Sequence, residues 1–350
     1  MDKLNMKLNC PMPVLDYDVI TLSHGAGGLL TNRLLDKTIF DILNNEKLKT
    51  RHDGALLDLK GEYAFSTDSF VISPVFFPGG DIGELAVNGT INDLAMCGAE
   101  AQYISLAFII EEGMKMDEFW DVLIGIKYAA EKAGVQIVTG DTKVVDKGKG
   151  DKIFVNTTGI GRVLPEADID IKRLKAGNKI IVSGNIATHG MAILSVRKGL
   201  EFETTIESDT RNLNFAVRDL IEKYGSDILL LRDPTRGGVA ATLNEIGRDS
   251  GLGIILDEKS LPVDKQVSAA CEILGIDPLF VANEGIFLAF VESEIADDIL
   301  KAMKNIEYCE NAAIIGEVTD YNPGKVLINS LLGGKRVVNM PIGEQLPRIC

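Results

Sequence analysis

Apolar residues recur at helical spacing in LLTNRLLDKTIFDIL (29–43), DIGELAVNGTINDLAMCG (81–98) and MDEFWDVLIGIKYAAEKAG (116–134), which predicts three helices in the first half of the chain. Gly98 and Gly134 stand where the second and third should stop. Around them, YAFSTDSFVISPVF (63–76), AQYISLAFII (101–110), VQIVTG (135–140) and KIFVNTTGIGRV (152–163) read as strands. The stretch VLPEADIDIKRLKAGN (163–178) is charged, carries Pro and Gly, and is the best linker. Beyond it the pattern resumes. Strands are expected at 179–187, 253–259, 285–293 and 312–320, and helices near 189–199, 211–224, 238–249 and 295–305. KRVVNMPIGEQLPRIC (335–350) has no sustained period and is expected to be a mobile tail. The chain thus divides into an irregular lead-in (1–20), a first α/β domain (21–165), a second, α+β domain (170–334) and the tail (335–350).

At 350 residues the chain is long enough for two buried cores, and 46% hydrophobic with 25% charged residues is an ordinary globular balance. Thirty-six basic against 51 acidic side chains give a formal charge of −15. No basic surplus exists to neutralise a phosphate backbone or an anionic bilayer, so nucleic acid and membranes are not expected partners. No run approaches the ~20 apolar residues of a membrane span. Cys10, Cys97, Cys271, Cys309 and Cys350 are far apart, with no CxxC pair, which argues against a disulfide framework or a structural zinc site. With no signal-like N-terminal run, a reducing, cytoplasmic location is expected. Cys97 and Cys271 fall in apolar helical stretches and are expected to be buried packing residues.

Two glycine clusters, HGAGG (24–28) and TRGG (235–238), precede helical stretches, where open backbone N–H groups can hold a phosphate oxygen or simply form tight turns. Neither is a P-loop, and no GxGxxG follows a strand. Asp68 lies inside an apolar strand, Asp93 near a helix end, and Asp141 and Asp233 at expected strand ends beside Gly or Pro. Four carboxylates so placed are either a site for Mg²⁺ and a triphosphate or caps and turns. Lys143 is either a phosphate ligand or a solvated loop residue. Glu284, immediately before an apolar strand, is a candidate general base or an exposed turn. Cys350 ends the chain, where a thiol on a flexible arm could act as a carrier.

Taken together and in order, SHGAGG, STDSFVISP, NDLAMCGAE, TGDTKVV, DPTRGG, ANEG and the closing PRIC resemble the HypE family, the carbamoyl dehydratases of [NiFe]-hydrogenase maturation. The likeness begins near residue 20; residues 1–18 receive no role. It implies an aminoimidazole ribonucleotide synthetase-like fold of two domains, the first dimerising through its sheet, with ATP near the domain boundary. It also implies Asp68, Asp93 and Asp233 as magnesium and phosphate ligands. His24, Gly27, Gly28, Asn92, Gly140, Asp141, Thr142, Arg236 and Gly237 would bind the nucleotide, and Lys143 and Glu284 would flank the reacting group on Cys350. HypF would donate a carbamoyl group and a HypC–HypD complex would receive cyanide. Within the same superfamily, selenophosphate synthetase or thiamine-phosphate kinase chemistry is an alternative, as is a non-catalytic thiol carrier.

Overall fold

The computed structural model describes every residue except Met1, Asp16, Gly27, His52, Asp53, residues 200–204, residues 342–348 and Cys350. The first half contains helices α1 (Lys3–Asn9), α2 (Leu29–Lys37), α3 (Ile39–Ile42), α4 (Ile82–Met96) and α5 (Met116–Ala133). Its strands are β1 (Tyr63–Phe70), β2 (Phe76–Phe77), β3 (Gly80–Asp81), β4 (Ala99–Glu111), β5 (Gln136–Val145) and β6 (Ile153–Val163). Four of these form a sheet in the order β1-β6-β4-β5, antiparallel except for the parallel β4–β5 pair.

The local signals explain the boundaries. Asp81 caps α4 by accepting the N–H groups of Gly83 and Glu84, and Gly98 leaves it at φ +72°. Gly134 closes α5 in the same left-handed conformation. Helix α4 is buried on every side, Asp93 being its one residue that is not, as expected for a helix sandwiched between layers. It packs on β1, β6 and β4 beneath the sheet, on α5 beside it, and on the second domain's α7 (Asn214–Tyr224).

The second half supplies α6 (Thr188–Lys198), that α7, α8 (Gly238–Ser250), α9 (Lys265–Leu274) and α10 (Ala296–Met303). Its strands are β7 (Lys179–Val182), β8 (Ile228–Arg232), β9 (Gly253–Asp257), β10 (Leu288–Val291), β11 (Ala313–Thr319), β12 (Val326–Asn329) and β13 (Lys335–Val338). Seven strands run in the order β13-β12-β9-β11-β7-β10-β8. Both faces are covered: Ile180, Val182, Leu288 and Phe290 pack on one side with α8, while Ile181, Ala289 and Val291 pack on the other with α7 and α10. Every residue of β10 is buried, which is why its sequence is continuously apolar rather than alternating.

Two expectations are corrected. Residues 335–338 are not tail but strand β13, antiparallel to β12. The lead-in is not wholly irregular, because Asp2 caps the short helix α1. Helix α1 packs on α5, and Trp120 donates its indole N–H to the carbonyl of Cys10. A seven-residue helix has little intrinsic stability, so tertiary contacts, invisible to periodicity, hold it.

The strongest of these contacts is ionic. The Lys3 ammonium reaches both Asp81, wholly buried, and Glu84. Burial opposes the lysine's charge, yet the two carboxylates outweigh it and push Lys3 up to about 12. Burial, with Asp81 adding to it against the opposing pull of Lys3, holds Glu84 at about 7, and burial also raises Asp81. Lys3→Met should destabilise the fold by about 3 kcal/mol at pH 8, the low end for breaking a buried pair because Lys3 is 35% exposed. Carboxyls raised in the folded state bind extra protons there, so their penalty grows as pH rises through the folded pKa. The deficit should therefore shrink toward pH 5, where Glu84, held at about 7, has taken a proton. Urea denaturation of wild type and variant at the two pH values measures it; an equal deficit at both would show that charge is not the cause.

Candidate active site

Residues from both domains meet around α4. On β1, Ser66 donates its hydroxyl to Asp93 Oδ2 at 2.6 Å. Asp233 follows the last residue of β8, at a strand end as expected. Glu284 sits in the turn before β10, only 4% exposed. That turn is held by two buried side chains. Asp209 accepts the N–H groups of Glu284 and Gly285 at 3.2 and 3.3 Å, and Asn283 donates to the carbonyls of Pro234 and Val281 at 2.8 and 3.1 Å. Glu284 itself is not an exposed turn residue; its Oε1 is buried with no hydrogen-bond partner among the described residues.

The electrostatics follow from this crowding. Burial pushes Asp93 up, partly offset by the Ser66 hydroxyl. Burial and then Asp93 raise Asp233 to about 7. Glu284 is driven well above the carboxylate range by burial and by Asp233, Asp209, Asp68 and Asp93. Among the described residues no three His, Cys, Asp or Glu side chains converge as a ready metal cage. Such a cage is not what Mg²⁺ requires, since it is held by one or two carboxylates with phosphate oxygens and water completing the shell. The donors present are hard oxygens repelling one another in a buried site, and they fit a hard divalent cation.

A cavity of about 530 Å³ lies beside β5, walled by Leu35, Ile39, Phe40, Leu106 and Ile137 and floored by residues 139–143. Two glycines on its lining stand where backbones approach closely. A Cβ at Gly140 would stand 2.0 Å from the carbonyl oxygen of Leu106, and one at Gly25 2.5 Å from the backbone nitrogen of Val144. The apolar walls and polar floor suit a flat heterocycle carrying a charged chain.

Asp141 and Lys143 are not at a strand end or on a loop; both lie within β5, which continues past Gly140 because its pairing with β4 continues. Lys143 donates to Asp141 at 2.7 Å and holds its carboxyl below the usual range. Asp68 is level with Thr157, Leu106 and Gly140 across the sheet, about 14 Å over three strand spacings. Strand alternation therefore puts Asp68 on the inner face with α4, and Asp141 and Lys143 on the outer one. Their exposure agrees, Thr142 between them being buried. Within one chain the sheet keeps Lys143 apart from Glu284.

The remaining candidates are placed as follows. His24 is buried; its Nδ1 accepts the N–H of Thr21 at 3.0 Å, and its ring lines a separate small cleft with Tyr17, Leu34 and Met116. Gly28 caps α2 with open space around it. Asn92 spends its amide on the second domain, donating to the carbonyl of Arg211 at 3.0 Å and accepting the N–H of Leu213 at 2.8 Å. Thr142 lines the cavity. Arg236 is exposed, and Gly237, at φ +75°, precedes α8. Gly27 and Cys350 lie outside the described residues. Cys271 is buried as expected, whereas Cys97 is exposed, because it follows the last turn of α4 rather than lying within it. Local sequence does not single out Asp209 or Asn283, and it marks Gly25 only as one of the HGAGG cluster. Only their partners, 49 to 119 residues away for Asn283 and Gly25 and about 75 for Asp209, reveal them.

Comparison with known proteins gives a consistent family. Residues 51–163 match the AIR synthase related protein N-terminal domain and residues 175–329 its C-terminal domain. The carbamoyl dehydratase HypE of Azotobacter vinelandii is 46% identical over 332 residues, covering 95% of this chain and 97% of that protein. A crystal structure of hydrogenase maturation protein HypE in complex with ATP superposes with a TM-score of 0.91 at 44% identity, covering 94% of this chain and 99% of that one. A chain of a crystal structure of a HypE–HypF complex gives a TM-score of 0.78 at 46% identity, covering 90% of this chain and 100% of that one.

Proposed function

Because the chain belongs to the carbamoyl dehydratase HypE family, within the AIR synthase related proteins, we propose that it dehydrates a carbamoyl group carried on Cys350, at the expense of ATP, to leave an enzyme thiocyanate. HypF supplies the carbamoyl group as an adenylate; the Cys350 thiolate attacks its carbonyl carbon, the C–O bond to the phosphate breaks, and AMP leaves as the thiocarboxamide forms. Amide oxygen is a poor leaving group. Transfer of the γ-phosphoryl group to that oxygen makes it part of a phosphate ester; two nitrogen-bound protons are lost, the C–O bond breaks, and phosphate departs with the oxygen as the C≡N bond forms. ATP becomes ADP, and the cyano group passes to iron on a HypC–HypD complex.

The observation that carries this reading is Glu284, a buried carboxyl with an unpartnered oxygen among Asp68, Asp93 and Asp233. A group so placed can accept a proton from nitrogen where bulk water does not compete. Asp68, Asp93 and Asp233 would hold Mg²⁺, which, when bound, neutralises the phosphates and draws charge off the transferring phosphoryl group. The base of ATP suits the cavity beside β5. The outer face of the sheet carries Lys143 and exposed Phe65 and Ile109, and a second copy of the chain would dimerise through that face.

The test is intact-protein mass spectrometry after loading with HypF, carbamoyl phosphate and Mg-ATP, with the adduct mapped to its peptide. Addition of fresh Mg-ATP to purified loaded protein should lower the C-terminal adduct by the mass of one water. An adduct that persists at full mass while ATP is bound would sink the reading.

A further inference from the structure

Near its C-terminus the chain is held at one described residue. Ile349 is 3% exposed and belongs to the same core cluster as Ala187, Met191 and Val281. Its carbonyl oxygen lies 2.8 Å from Nε2 of His189, a wholly buried residue in the first turn of α6. Nδ1 of the same ring is 2.7 Å from Ser208 Oγ, which accepts the N–H of Thr210 at 3.0 Å. A carbonyl only accepts, so Nε2 carries the hydrogen, and a neutral ring then accepts the Ser208 hydroxyl proton at Nδ1. Burial holds the imidazole below its usual pKa, in keeping with that neutral form. Phe77 packs edge-on against the ring at 5.7 Å.

This relay is tied to the Glu284 turn from two sides. The N–H of Ala187 donates to Asn283 Oδ1 at 2.6 Å, and the N–H of Gly190 to the carbonyl of Ala282 at 3.0 Å. On the other side Ser208 is followed by Asp209, which accepts the N–H groups of Glu284 and Gly285. None of the phosphate, metal or proton-transfer roles proposed above uses His189 or Ser208. We propose that His189, oriented by Ser208, is a positioning residue that receives the penultimate carbonyl and so fixes Ile349 beside the Glu284 turn. The inference deepens, and rests on, the reading that Cys350 carries the reacting group; the receptor itself is independent of what the thiol bears.

Three variants of the full chain test it: His189→Leu, which removes both ring nitrogens; His189→Gln, which keeps an N–H donor near Nε2; and Ile349→Asp, which alters the held residue and leaves the body of the protein untouched. The first readout is the rate of iodoacetamide alkylation at Cys350, mapped on the C-terminal peptide. Loss of one hydrogen bond should speed it about two- to tenfold in His189→Leu, and Ile349→Asp should exceed that, while His189→Gln stays near wild type. The second is single-turnover dehydration of carbamoyl-loaded protein, which should slow in parallel while loading by HypF does not fall. If His189→Leu does not fold, Ile349→Asp decides. Folded His189→Leu and Ile349→Asp proteins alkylated at the wild-type rate would overturn the receptor. Wild type that shows protected Cys350 but no ATP-driven dehydration would overturn the proposed activity and leave the receptor standing.

Discussion

Cys350→Ala protein, incubated with HypF, carbamoyl phosphate and Mg-ATP, should gain no carbamoyl mass while binding ATP as wild type does. The expectation is strong because burial or nearby negative charge disfavours the thiolate at Cys97, Cys271 and Cys309. Cys271 and Cys309 are buried, and burial pushes both up to about 11, so at neutral pH neither supplies thiolate. Cys97 is exposed, but partial burial and the nearby charges of Asp93 and Asp233 raise it too. Cys10 is half-buried, its backbone carbonyl accepting the indole N–H of Trp120. The cavity beside β5 contains no cysteine, which is why nucleotide affinity should survive. Intact mass and ATP titration report the two halves of the expectation; a carbamoyl adduct on Cys97 would transfer the carrier role to the end of α4.

Glu284→Gln should accept the carbamoyl group normally and then dehydrate it about 100- to 10,000-fold more slowly, the usual effect of losing a positioned proton acceptor. Glutamine fills the same space and meets no lost hydrogen bond, since Oε1 has no partner among the described residues, so the fold is not expected to suffer. Lys143→Ala should lose dehydration to a similar degree, although the sheet separates the two residues within one chain. Mixing discriminates how they meet. If each site takes Lys143 from a second copy, random re-pairing of the two inactive variants makes half of all dimers mixed, each with one intact site, and restores about one quarter of wild-type activity. Equal mixtures that stay inactive after verified subunit exchange would place both residues in the same chain's site and exclude the shared arrangement.

Much of this architecture is written in local chemistry. Gly98 and Gly134 end α4 and α5 as their positions suggest, and Asp233 stands at the end of β8 before Pro234. Glu284 stands out by its place before an apolar strand, but local sequence does not show its burial. Local signals failed where distant partners decide. Gly140 looks like a strand terminus beside Asp141, but parallel pairing with β4 carries the strand on. Helix α1 is too short and too near Pro11 to announce itself, and it exists because Lys3 finds Asp81 and Glu84 about 80 residues away. His189 has no carboxylate or histidine nearby in sequence, and its partners Ser208 and Ile349 come from elsewhere in the chain. The role given to Cys350 came from the likeness of PRIC to a family, since a terminal thiol by itself carries little information.

Helix α4 is buried on all sides but at Asp93, with the first sheet and α5 around it and α7 of the second domain across it. Two chain segments that count as separate domains by sequence therefore share one interior element and cannot come apart like beads on a string. The first half expressed alone would present α4's α7-facing surface to water, and the second alone would leave α7 uncovered. Cutting the gene at the linker should thus yield two sticky fragments rather than two modules, and heat should unfold the whole chain in a single cooperative step.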